Sequence, residues 1–185
     1  MNTSQEQPYT RLGGYPSQTT AGTVLSRLIA GLGFRLRWAT EGLRQEDFGY
    51  RPSAEAQSIG EVLEHVDNLV AWSHAQLTRA LDGVADPKQL PEGSAPAERR
   101  ECCLRNLAAL EQALTTMGAS DLEGVSVHHP QRGERVFWVL INGPIADCLT
   151  HVGQISAWRR QAGNPAPASD PFDGRPPADG DSGSE

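Results

Sequence analysis

Hydrophobic spacing divides the chain into four helical stretches joined by polar segments. From about Thr19 to Leu43, the residues Val24, Leu25, Leu28, Ile29, Leu32, Leu36 and Leu43 recur at helical intervals, one apolar stripe. Gly31 and Gly33 weaken that helix and predict a centre thinned for close packing. A second helix is announced by "SIGE", in which Ser58 and Glu61 make a capping box: hydroxyl and carboxylate each satisfy an orphan amide. Ile59, Val62, Leu63, Val66, Val70 and Leu77 then mark its buried face to about Leu81. A third helix, roughly Pro96 to Met117, follows Ser94 and buries Cys103, Leu107, Leu110, Leu114 and Met117. The fourth points Ile145, Cys148, Leu149, Val152 and Ile155 inward. Its stop is well signalled by Arg159 and Arg160 in the last turn, Gly163 beyond it, then Pro165.

The connecting segments carry no such period. Residues 119 to 136, with "GVSVHHPQRGERV", read as irregular or partly extended. Residues 1–17 are polar and broken by Gly13, Gly14 and Pro16, an extended arm. Residues 166–185 are acidic and rich in Pro and Gly, with too little apolar surface to order themselves, and so read as a flexible tail that can be removed at little cost. The expected architecture is all-α: one four-helix bundle over residues 1–165, with an irregular connection before its last helix. There is no internal repeat.

Composition narrows the class. The 185 residues suit one domain with a real core. No apolar run reaches the roughly eighteen residues of a bilayer span. The opening "MNTSQEQPYT" lacks the basic and apolar regions of a signal peptide. Three cysteines, Cys102, Cys103 and Cys148, form neither CxxC nor an even framework, so a reducing cytoplasm is expected. Net charge is −7, of which Asp170, Asp173, Asp179, Asp181 and Glu185 against Arg175 place −4 in the tail and leave −3 on the body. With no basic stripe, neither nucleic acid nor a membrane surface is an expected partner.

Candidate chemistry lies on the second and fourth helices. At about 100° per residue, His65 sits to one side of the core face centred on Val66, and His74 points about 180° away from it, toward solvent. On the fourth helix Asp147 and His151 lie one turn apart on one flank of the core face. Such an i, i+4 pair can converge on one ion, with His65 as a third ligand. Trp72 and Trp158 each follow their histidine by seven residues on the same stripe, and Gln154 lies between His151 and Trp158, giving a polar site with aromatic walls. From spacing alone the alternative stays open, because an Asp-x-x-x-His pair is more often a boundary pair, and such tryptophans are more often core-edge packing. His128 and His129 are expected in a loop that a fold over the bundle would bring near the site. Cys148 faces the core, and Cys102–Cys103 has no neighbour that would mark it reactive.

The order of these pieces matters. "SIGEVLEHV" (58 to 66), preceded by "FGYRP" (48 to 52), resembles the second-helix signature of the DinB-like/YfiT-like metalloprotein superfamily. "IADCLTHVGQISAWRRQAGNP" (145 to 165) resembles its last-helix signature, "HVGQI" above all. The resemblance spans roughly residues 20 to 165; it has nothing to do with the translesion polymerase of similar name. It implies an up-down-down-up bundle with a divalent metal between helices. The superfamily's usual ligands are three histidines: His65 matches the first, His151 the third, and Asp147 stands where the second would be. Two imidazoles and a carboxylate hold zinc in hydrolases and iron in oxygenases, so Zn, Ni or Fe are all open.

Three protein ligands leave coordination positions open, as catalysis requires. Some relatives are thiol-dependent transferases or isomerases using mycothiol, bacillithiol or glutathione. The leading expectation is therefore a metal-dependent, thiol S-transferase-like enzyme acting on a small-molecule substrate. Alternatives are a hydrolase using metal-bound water and a non-catalytic, metal-binding stress protein. Relatives often pair, so a homodimer is expected.

Overall fold

The computed structural model describes residues 7–79 and 85–178. Four long helices form the body: α1 (Ala21–Thr40), α2 (Ile59–Thr78), α3 (Pro96–Thr115) and α6 (Ala146–Gln161). A 3₁₀ turn (Asp47–Gly49) precedes α2. Between α3 and α6 lie a short α4 (Ala119–Glu123), an antiparallel hairpin of β1 (Ser126–His129) and β2 (Gly133–Val136), α5 (Trp138–Leu140) and a π-helical turn (Ile141–Ile145). Residues 119–136, expected to be irregular or partly extended, form the short helix α4 and this hairpin. The last helix enters through the π turn, where Gly143 (φ −95°, ψ −110°) breaks helical geometry just before Pro144.

α1 and α2 each pack on both α3 and α6, so the core is enclosed by all four helices. Ile29, Leu32, Phe34, Leu63, Val66, Leu107, Leu110 and Ile155 are fully or almost fully buried there. The expected capping box forms at α2, where Ser58 and Glu61 exchange bonds of 2.7 and 3.2 Å, and a second, between Thr20 and Thr23, closes the start of α1 with bonds of 2.8 and 3.2 Å. The structure describes α2 as far as Thr78; Leu81, the expected limit, lies outside the described residues.

Of the two glycines expected to thin α1, Gly33 admits a close neighbour and Gly31 does not. A Cβ on Gly33 would run into the ring of Tyr9, which the N-terminal arm inserts into the core. The close helix approach is at Gly22, against the carbonyls of Leu114 and Met117. The arm is thus anchored rather than merely extended. The described part of the acidic C-terminal segment makes backbone contacts with itself and with the N-terminal arm. Asp170 and Arg175 bridge through paired backbone bonds of 3.0 Å, and the Gly174 carbonyl accepts from Leu12 N–H at 3.0 Å. Gly174 at φ +64° leaves just enough room for the Leu12 side chain. Residues 179–185 lie outside the described residues.

Two buried polar features were not legible in advance. Arg159, 1% exposed, donates to the carbonyls of Ala39 (2.9 Å), Glu41 (2.8 Å) and Asn164 (2.6 Å), capping the C-terminus of α1 from α6. His74 was expected to face solvent and is instead 2% exposed, with neither ring nitrogen bonded among the described residues. The correction has a physical cause. His74 follows Asp67 by two turns on one stripe of α2, about 80° from Val66, and that stripe packs on α3, where Arg99 Nη1 lies 3.6 Å from Asp67 Oδ2. Pointing away from His65 therefore puts His74 on the other flank of the core face rather than on the solvent face. Burial lowers the His74 pKa.

Candidate metal centre

His65 sits two turns into α2, downstream of the capped end; Asp147 is in the first turn of α6, where the helix dipole favours an anion, and His151 follows one turn later. Packing of α2 on α6 brings the three together. His65 Nε2 is 3.2 Å from Asp147 Oδ2, and His151 Nε2 is 3.5 Å from Asp147 Oδ1. The two imidazoles meet edge to face, with centroids 4.9 Å apart at 86°. One ligand atom from each residue lies within 4.8 Å of both others. An ion held tetrahedrally by bonds of about 2.1 Å would have its ligand atoms about 3.4 Å apart, close to the two shorter separations seen here.

The protonation pattern points the same way. His151 Nδ1 is 2.7 Å from the side-chain oxygen of Gln154, so Nδ1 carries the proton and donates it there. A neutral His151 then turns the lone pair of Nε2 toward the Asp147 carboxylate, an acceptor facing an acceptor. Only a cation between them, a proton or a metal ion, makes that arrangement favourable. A ligand histidine whose second nitrogen is fixed by an amide or carbonyl is the usual outer-shell device of metal sites.

The site is open on one side. The side chain of His151 is 14% exposed, whereas those of His65 and Asp147 are 41% and 46% exposed. Asp147 forms part of the wall of a groove of about 760 Å³ that runs between α2, the π turn and the hairpin. That volume suits a small molecule. Trp72, His129, Arg132, Arg135 and Asn142 also line it.

The remaining expected residues distribute unevenly. Trp72 lines the groove beside Asp147. Gln154 orients His151, and Trp158 packs part-buried against the core; neither is among the groove's lining residues. His128 turns away and meets Glu134 Oε1 at 2.9 Å, while His129 joins the groove wall. All three cysteines are free and buried. Burial pushes the Cys148 thiol up to about 12 and the Cys102 and Cys103 thiols above their usual value, so none is a thiolate nucleophile. Arg132, Arg135 and Asn142 were missed by the sequence reading. The "PQRGERV" turn and the "NGP" before the last helix were the available signals.

A scan against protein-family models and a search of curated proteins return no match. Among solved structures, the chain superposes on the crystal structure of a DinB family member from Shewanella denitrificans. The TM-score is 0.51 at 15% identity, over 77% of this chain and 84% of that one. The fold is DinB-like, and a His/Asp/His group able to hold a metal lies within it. No helix among the described residues is long and apolar enough to cross a membrane.

Proposed function

We propose that this protein is a cytoplasmic, metal-dependent enzyme with thiol S-transferase-like chemistry, built on an up-down-down-up bundle. His65, Asp147 and His151 are its ligands. The observation that carries the metal reading is the contact between His151 Nε2 and Asp147 Oδ1, with Gln154 holding the proton on the opposite nitrogen. The donor set, two imidazoles and one carboxylate, fits Zn, Ni or Fe. A divalent ion in such a site, when bound, lowers the pKa of a thiol or water so that it is nucleophilic near neutral pH.

The protein's own residues do the rest. Gln154 fixes the tautomer and direction of His151, and the dipole of α6 supports the Asp147 charge. Trp72 gives the groove a flat apolar wall against which an organic substrate is held. The buried cysteines take no part, so the reacting sulfur belongs to a small-molecule thiol rather than to the chain.

The test begins with elemental analysis of purified protein beside His65→Ala. About one divalent ion per chain in the wild type, lost in the variant, is expected. Incubation with a thiol and an electrophilic acceptor then reads the chemistry. Product that requires the thiol supports transfer, whereas turnover of an amide or ester without thiol identifies the hydrolase alternative. A filled site with neither activity leaves the non-catalytic metal protein.

A further inference from the structure

The groove beside the candidate metal centre carries a second chemical signature, on the hairpin rather than on the helices. In the β1–β2 register Val127 pairs with Arg135 and His128 with Glu134. Paired residues share a face of a two-stranded sheet. Val127 is buried against the bundle, so the Arg135 pair lies on the groove side. Glu134 lies on the other face, where it bonds to His128 and to the Ser126 hydroxyl. The alternation thus puts Arg135 on the groove side and Glu134, engaged, on the other, while Arg132, in the turn before β2, also lines the groove that Asp147 lines. Among the described residues neither guanidinium is held in an ion pair. His129 adds a third donor. Its Nδ1 accepts from Gln131 N–H at 3.2 Å, which leaves the proton on Nε2. In a chain of net charge −7, three free donors around one groove are not a matter of average composition.

We propose that the groove selects small molecules bearing an oxyanion, a carboxylate or a phosphate, which Arg132, Arg135 and His129 hold while the reacting end of the substrate lies at His65, Asp147 and His151. Guanidinium is the group of choice for this, since its planar fork matches both anions in bidentate bonds. The anion site sets substrate class and orientation without touching the reacting atoms. The proposal rests on the metal-centre reading, because that centre fixes where the other end of the substrate lies.

The two are tested separately on one preparation of full-length protein. Zinc stoichiometry reads the metal centre. The zinc-loaded protein is then titrated with 3-mercaptopropionate and 6-mercaptohexanoate, each against its uncharged amide, following tryptophan fluorescence. At least one carboxylate is expected to bind about tenfold or more tightly than its amide, the fold-change of one charge-assisted hydrogen bond. Arg132→Ala/Arg135→Ala should reduce that preference to within about twofold while retaining full zinc stoichiometry, and Arg160→Ala, exposed on α6 away from the groove, should leave it intact. Competition with inorganic phosphate and with acetate names the anion: the one that displaces at lower concentration is the preferred oxyanion, and displacement by either supports the site. If zinc binds but neither carboxylate is preferred, or the preference survives in the double variant, the anion site is wrong and the metal centre stands. If zinc does not bind, both fall.

Discussion

Asp147→Ala is the most informative single change. The residue contributes the one carboxylate of the group and approaches both imidazoles, at 3.2 and 3.5 Å. Its side chain is 46% exposed, so its removal leaves no buried cavity, while Cys148, Val152 and Ile155 hold α6 in place from the core side. The metal-free variant should therefore unfold within about 1 kcal/mol of the metal-free wild type. With metal the two should part. An ion that binds only the folded state adds RT ln(1 + [L]/Kd), about 2.7 kcal/mol at a hundred times Kd. For a chain of this length that is roughly 5–11 °C in Tm, at about 2–4 °C per kcal/mol. Loss of an outer-shell partner alone costs about 10–100-fold in affinity, so loss of a ligand should cost at least about 100-fold. At the same metal concentration the variant then gains only about 0.4 kcal/mol, or roughly 1–2 °C. The assay is thermal unfolding by circular dichroism, with zinc and with chelator, for both proteins. A variant whose Tm rises with zinc as far as the wild type's does would show that Asp147 is not a ligand. Asp147→His should restore most of the shift.

Gln154→Ala should lower metal affinity about 10–100-fold with the fold unchanged, because it frees the His151 ring; isothermal titration with unchanged affinity would refute that orienting role. His74 gives a pH signature. Its folded pKa is depressed by burial, so the unfolded state binds more protons and stability falls as pH drops through and below the ordinary histidine value near 6.5, by up to about 1.4 kcal/mol per pH unit. His74→Leu should flatten this fall between pH 7 and 5 in urea titrations and leave zinc stoichiometry unaltered; an equally steep fall in the variant would contradict the assignment. Arg159→Met should cost about 3 kcal/mol or more, since it strips donors from three backbone carbonyls, and a Tm within about 2 °C of wild type would refute the capping role. Two copies are expected to pair, with Val24, Leu28, Val136 and Trp138 as exposed apolar residues available for contact; a sedimentation mass near 20.0 kDa at micromolar concentration would rule that out.

The sequence by itself determined the helices and the candidate metal group. Apolar spacing, the Ser58–Glu61 box and the stop at Gly163 are local signals, set by hydrogen bonds and burial within a few residues. They place α1, α2, α3 and α6 close to their observed limits. One helical turn between Asp147 and His151 likewise puts the pair together in any α-helix, and the motif order supplied His65 as the third member. What only the tertiary structure decided depends on which faces other elements cover. His74 is buried because α3 covers the flank of α2 that carries Asp67 and His74, a neighbour that a single-helix wheel does not contain. Tyr9 fills the notch at Gly33, and Arg159 caps α1 across the bundle, both contacts between residues far apart in the chain. Trp158 became a packing group once α6 had a fixed rotation against the rest of the bundle, whereas the Gln154–His151 contact is local to one turn of α6. Arg135 acquired meaning only when strand pairing sent Glu134 to one face and left its guanidinium on the other, and Arg132 when the hairpin turn came to lie along the groove wall. Local periodicity fixes what a residue is able to do; the long-range packing of helix on helix and hairpin on helix fixes what it meets.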